Sequence, residues 1–226
     1  MKQQMESKVM ESSSKQRILE AAGEIFAENG FRIVTVREIC RRAGVNVAAI
    51  NYHFGDKEGL YKEVLSRWQA AAYQRYPLEV NGYEPPEEQL KSFIRAFLFR
   101  MLGNGRPSWF GKLVAREFIE PTAALDMLIE NTIRPTYITL SAIVKRLLPE
   151  GASEEEVSLS CASIIGQCIY FHNARHVMER LHRQSSYMAE EIEGIARHVT
   201  EFSLRALINF KGAKPGDAYG KTGGVN

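Results

Sequence analysis

TVREICRRAGVNVAAINYHFGDKEGL, residues 35–60, decides how the rest of the chain is read. Thr35 and Glu38 stand at capping-box spacing, where each side chain can satisfy the other residue's free backbone donor. The short helix they open turns Val36, Ile39, Cys40 and Ala43 inward. Gly44 makes a tight turn. Asn46 caps a second short helix running to about His53, with Ile50 and Phe54 inward. Asp56 caps a further helix that continues toward Tyr76. Upstream, from Lys15, the spacing is helical again, with Ile18, Ala22, Ile25 and Phe26 on one stripe. Gly30 ends that helix and Phe31 folds back onto its last turn. Two short helices across a glycine turn, braced by a longer one, make a helix-turn-helix.

The second helix of such a pair puts its first turn against base edges in the major groove. Small side chains there let the backbone come close, so Val47, Ala48 and Ala49 suit contact with thymine methyl groups. Asn51 has the groups to pair with adenine or to bind a phosphate. Tyr52, His53 and Lys57 are donors that suit phosphates, and Lys57 and Arg37 each stand in a first helical turn, which favours anions. Arg41 and Arg42 add positive charge. The opposing reading is a helix-turn-helix that binds nothing. Ile50 and Phe54 are core residues under either, and Cys40 is packing rather than a redox group.

Around this segment the chain has 226 residues, 45% of them hydrophobic, which is enough to bury a core. A net charge of +2 leaves any polyanion affinity to local patches. Three cysteines, Cys40, Cys161 and Cys168, make no disulfide framework and suit a reducing, cytoplasmic compartment. The polar N-terminus lacks the apolar core of a signal peptide, and no apolar run is long enough to span a bilayer. Residues 1–13 read as a mobile polar arm and residues 14–62 as the helix-turn-helix domain, with a linking helix to about 76. Pro77 and VNGYEPPEE mark a break. Residues 77–210 read as helices only, over roughly 87–103, 107–119, 121–147, 153–182 and 186–210, with Pro135 starting, kinking or breaking the third. Ser153 and Glu156 repeat the capping-box spacing. Residues 211–226 are glycine-rich and read as disordered. The fold class is all-α.

Residues 14 to about 62 resemble the DNA-binding domain of the TetR family of transcriptional regulators. ILEAAGEIFAENGF, TVREICRRAGV and the short helix ending YHFGDKEGLY carry the resemblance. It implies groove and phosphate contacts at Thr35, Arg37, Asn46, Val47, Ala48, Ala49, Asn51, Tyr52, His53 and Lys57. Many members have Tyr where this chain has Asn51, so operator preference at that step does not carry over. A second resemblance, through REFIEPTAALDMLIENTIRPTY and IIGQCIYFHNAR, is to the CecR-type subgroup, and implies a helical ligand-binding and dimerisation domain.

The implied protein is a homodimeric repressor, released from a palindromic double-stranded operator by an unidentified small molecule. The alternatives are an activator or a ligand-independent DNA binder. The stripes Val157, Cys161, Ile164, Ile165, Cys168 and Phe171, then Ile192, Ile195, Val199, Phe202 and Leu207, suit a four-helix dimer interface or packing within one subunit. Trp109, Phe110, Phe118, Met127, Tyr137, Gln167, Tyr170 and His172 are candidates for the ligand pocket, against the plainer reading that they are ordinary core. Cys168, His172 and His176 share one helix face. Three consecutive ligands on a straight helix strain around one ion, so no metal is expected, and no cofactor. With no phosphate loop, nucleophile elbow or metalloprotease motif, enzymatic function is not expected.

Overall fold

The computed structural model describes residues 2–78, 82–103, 108–182 and 187–210, without the side chains of residues 2–12, 108, 176 and 182. Among these residues the chain forms eleven α-helices and no strand. The glycine-rich tail, Val80, Asn81 and the side chain of His176 lie outside them.

The helices are α1 (Lys2–Asn29), α2 (Val36–Ala43), α3 (Val47–Phe54), α4 (Lys57–Arg75), α5 (Pro86–Leu102), α6 (Ser108–Ile119), α7 (Ala124–Leu128), α8 (Arg134–Leu147), α9 (Glu154–Asn173), α10 (Arg175–His182) and α11 (Ala189–Ile208). α1 is helical through the stretch read as a polar arm. Gln, Glu, Met and Lys dominate there, and they lose little side-chain freedom in a helix.

The chain divides into two compact units, each interrupted in sequence. The first comprises residues 1–78 and 99–136, the second residues 79–98 and 137–226. The first unit is organised around Ile18, Leu19, Ala22 and Phe26 of α1, Ile39 of α2, Ile50 of α3, Leu60, Val64 and Leu65 of α4, and Leu113 of α6, all completely buried. The expected inward stripes are therefore buried except at Val36 and Phe54, which are partly buried against the core, and a face supplied by α6 and α7 is buried with them. Trp109 of α6 packs so closely on α1 that a methyl group on Gly23 would overlap its indole. Arg116 of α6 donates to the carbonyls of Ala27 and Glu28 at 3.1 and 3.0 Å, placing a cation at the C-terminal end of α1, where the helix dipole favours it. Glu117 is fully buried. It accepts hydrogen bonds from the Tyr61 hydroxyl at 2.8 Å and from the backbone and hydroxyl of Thr122 at 2.7 and 2.9 Å, joining α4, α6 and the start of α7.

Between α7 and α8 the chain winds as a wider π-type turn, Ile129–Ile133. Pro135 follows and has no N–H, so the Asn131 carbonyl loses its usual donor four residues on. The expected helix over 121–147 is interrupted there.

The second unit buries Leu90, Phe93, Ile94 and Leu98 of α5, Leu140, Ile143 and Val144 of α8, Val157, Cys161, Ile164 and Cys168 of α9, and Ile192, Val199 and Leu207 of α11. The capping box at Ser153 and Glu156 forms with both halves present. The helix expected over 153–182 is two helices. α9 ends at Asn173, a residue that competes with the helix for backbone hydrogen bonds, and α10 starts after Ala174.

Candidate nucleic-acid interface

The turn between α2 and α3 is built by backbone conformation first. Gly44 sits at φ 65°, ψ 41°, a left-handed geometry that a side chain disfavours. Thr35 Oγ1 accepts from the Glu38 N–H at 3.3 Å, one half of the expected capping box. Asn46 Oδ1 accepts from the Ala49 N–H at 2.9 Å and fixes where α3 begins. Ile50 anchors α3 in the core, and Phe54 packs partly against it.

With its inner face held this way, α3 turns Val47, Ala48, Asn51 and Tyr52 outward, Tyr52 being 73% exposed. Arg37 and Arg41 are exposed on α2. This outward set combines small apolar groups, an amide, a phenol and guanidinium groups, which is a chemistry suited to base edges flanked by phosphates.

Five of the ten candidate contacts, Thr35, Asn46, Ala49, His53 and Lys57, have tasks inside the domain. Thr35 and Asn46 are caps. Ala49 is partly buried against the core, so its methyl group divides between packing and surface. His53 Nε2 lies 3.1 Å from the Ser14 hydroxyl and ties α3 to α1.

Lys57 has partners within the domain. Its ammonium donates to the carbonyls of Phe31 and Val34 at 2.9 and 3.0 Å and lies 4.4 Å from the Phe31 ring centroid. It clamps the loop between α1 and α2, beside the position from which the sequence reading has it reach a phosphate. Two carbonyls satisfied by one cation hold the loop in place. The same loop presents Ile33, 77% exposed, which spacing did not single out because no helical period covers it. Arg42 is paired with Glu24 at 2.7 Å.

The eight pocket candidates divide between the two units. Trp109, Phe110, Phe118 and Met127 belong to the first unit, and Tyr137, Gln167, Tyr170 and His172 to the second. Trp109 stacks edge-on against Trp68, Phe110 is buried, Met127 accepts from the Ser66 hydroxyl, and Phe118 is 55% exposed. Tyr137 and Tyr170 are largely exposed, and Gln167 donates to Ser163 and Ser203. A pocket of about 310 Å³ in the second unit is lined by Phe171, Met178, Tyr187, Glu191, Gly194, Ile195 and His198. Burial pushes the Cys168 thiol up to about 12, and no group of three described residues has the arrangement to hold a metal. No described helix is long and apolar enough to cross a membrane.

Comparison with known proteins agrees with this geometry over most of the chain. Residues 18–64 match the family described as bacterial regulatory proteins, tetR family. Residues 86–207 match the C-terminal domain of the HTH-type transcriptional dual regulator CecR. The CecR protein of Shigella flexneri is 26% identical over 198 residues, spanning 83% of this chain and 88% of its own. Two solved structures share the fold. A Clostridium perfringens protein named as a regulator of fatty acid metabolism is 23% identical, with a TM-score of 0.64 over 84% of this chain and 97% of that one. AibR, crystallised with isovaleryl coenzyme A and operator DNA, is 14% identical, with a TM-score of 0.60 over 84% of this chain and 97% of that one.

Proposed function

Because this chain belongs to the TetR family of bacterial transcriptional regulators, with a C-terminal domain of the CecR type, we propose that it is a homodimeric repressor that a small molecule releases from a palindromic operator. The observation that carries the DNA half of this reading is the outward face of α3, where Val47, Ala48, Asn51 and Tyr52 are exposed. Arg37 and Arg41 supply phosphate contacts beside it. Two such faces on one two-fold axis fit two half-sites a helical turn apart. The apolar side chains that α9 and α11 leave exposed, among them Leu159 and Phe202, at 59% and 58%, support pairing of those helices between subunits. The protein acts in the cytoplasm, where its DNA is, and catalyses nothing.

The effector works by binding one spacing of the two reading heads better than the other, since only a difference in affinity shifts an equilibrium. Activation at some promoters is the second reading, and the name dual regulator borne by the Shigella flexneri relative favours it.

The deciding experiment selects DNA from a random pool with the full chain and measures binding by fluorescence anisotropy. A palindromic consensus bound by two copies of the chain is the expected result. Selection of no consensus, or binding by one copy, sinks the reading.

A further inference from the structure

The first unit buries a guanidinium that no described acidic side chain neutralises. Arg100 of α5 is only 6% exposed. Its Nε donates to the Tyr76 carbonyl, at the end of α4, at 2.6 Å, and its guanidinium lies 3.7 Å from the Tyr73 ring centroid. Its Nη2 is buried with no hydrogen-bond partner among the described residues. Arg100 takes part in none of the ion pairs among the described residues. Burial lowers its pKa, and the Tyr73 contact acts in the opposite direction without cancelling it. A desolvated cation without an anion opposes folding, and an oxyanion in fork geometry is what a guanidinium binds best.

A second unspent donor lies on α4. Trp68 Nε1 is buried and without a hydrogen-bond partner among the described residues. Trp68 and Tyr76 are eight residues apart on one face, roughly 12 Å along the axis. The surroundings are aromatic. Trp109 packs edge-on against Trp68, and Phe99 lies against Tyr76 at 5.3 Å between ring centroids. The Tyr73 hydroxyl pairs with that of the buried Thr136 at 2.7 Å. Apolar walls with a few placed donors are the composition of a small-molecule site.

We propose that this is the effector site and that its ligand is an organic oxyanion, its carboxylate or phosphate head held by Arg100 and its apolar body lying along α4 toward Trp68. This rests on the ligand-released reading above and names the chemical class of that ligand. Arg100 was not singled out from the sequence, although one signal was present. It stands in FIRAFLFRML at helical spacing from Phe93 and Phe97, on a stripe that is otherwise apolar.

The test uses the full chain with octanoate, octyl phosphate, octanol and inorganic phosphate as probes, in titration calorimetry and thermal unfolding. Octanoate or octyl phosphate should bind at least ~10-fold more tightly than octanol, a difference set by the head alone. Whichever of the two binds better identifies the head, and inorganic phosphate should bind more weakly than either. Arg100→Met should lose the preference for the anions while unfolding no earlier than the wild type, because the uncompensated cation is gone. Arg100→Lys, which keeps the charge without the fork, should bind the anions more weakly than wild type. Equal affinity of the wild-type chain for octanoate, octyl phosphate and octanol overturns the proposal without recourse to any variant. Retention of the anion preference by Arg100→Met overturns it as well. Operator binding in the same samples separates the two readings. A chain that prefers the anions yet stays on DNA with them keeps this site and loses ligand-released repression. A chain released equally by octanol loses this site and keeps that repression.

Discussion

Ala48 and Ala49 are neighbours of one type, yet the fold gives them different work. Ala48 faces out from α3, whereas Ala49 is partly buried against the core. A carboxylate at Ala48 would stand against phosphates and base edges without touching the interior. Ala48→Glu is therefore expected to weaken operator binding by roughly 100-fold or more, about 2.8 kcal/mol, with an unchanged unfolding midpoint. Anisotropy titration and thermal unfolding of the same sample check both halves. Tyr52→Ala should weaken binding to all sequences alike and reduce the salt slope by about one unit, as loss of a phosphate contact does. Lys57 behaves differently. Removing it frees the carbonyls of Phe31 and Val34, so Lys57→Met should cost stability on the order of 1.5–3 kcal/mol in urea unfolding. Full stability in that variant would return Lys57 to the list of free phosphate contacts. The outward residues of α3 were legible because the helical period that buries Ile50 leaves Val47, Ala48, Asn51 and Tyr52 on the other side. The clamp was not, because its acceptors lie 23 and 26 residues away in the chain.

At the level of elements, the helix-turn-helix was legible down to its caps because every signal in it is local. Thr35, Gly44, Asn46 and Asp56 act within four residues of themselves. The break at Ala174 carried no Gly or Pro, and the π turn was visible only as a choice among outcomes at Pro135. The bond from Tyr61 to Glu117 spans 56 residues and had no local signature. Its loss is measurable. Tyr61→Phe removes a donor from a fully buried carboxylate and should destabilise the fold by about 1–3 kcal/mol. The pH dependence has a definite sign. Burial, followed by the hydrogen bond and charge of Glu117, raises the pKa of Tyr61 above its ordinary value near 10. The protonated phenol is favoured in the fold, so its contribution is complete below about pH 10 and declines as pH rises beyond it. Wild-type stability should therefore fall above about pH 10 more steeply than that of Tyr61→Phe. Parallel curves would remove Tyr61 as the cause.

Across the whole molecule, the division read from the chain at Pro77 differs from the division in space. Composition and proline mark where a chain changes direction, but they do not report which helices later pack together. α6 and α7 follow the break and still belong to the unit that holds α3. For the same reason the pocket candidates, chosen by residue type, are distributed over both units. Association into a dimer is open to direct test. Phe202→Glu, at a position 58% exposed on α11, should shift the species seen by light scattering from two copies to one. It should also weaken operator binding at a given protein concentration, because each half-site then binds alone.

The contact of Trp109 with Gly23 bears on how such proteins can be recombined. A hybrid that joined this reading head, cut after α4, to a foreign sensor would inherit a glycine made for an indole, a tyrosine made for a carboxylate and helix-end carbonyls made for a guanidinium. None of these partners would travel with the graft. A working biosensor built from this chain would have to transplant Trp109, Arg116 and Glu117 with the head, so the portable module is discontinuous in sequence.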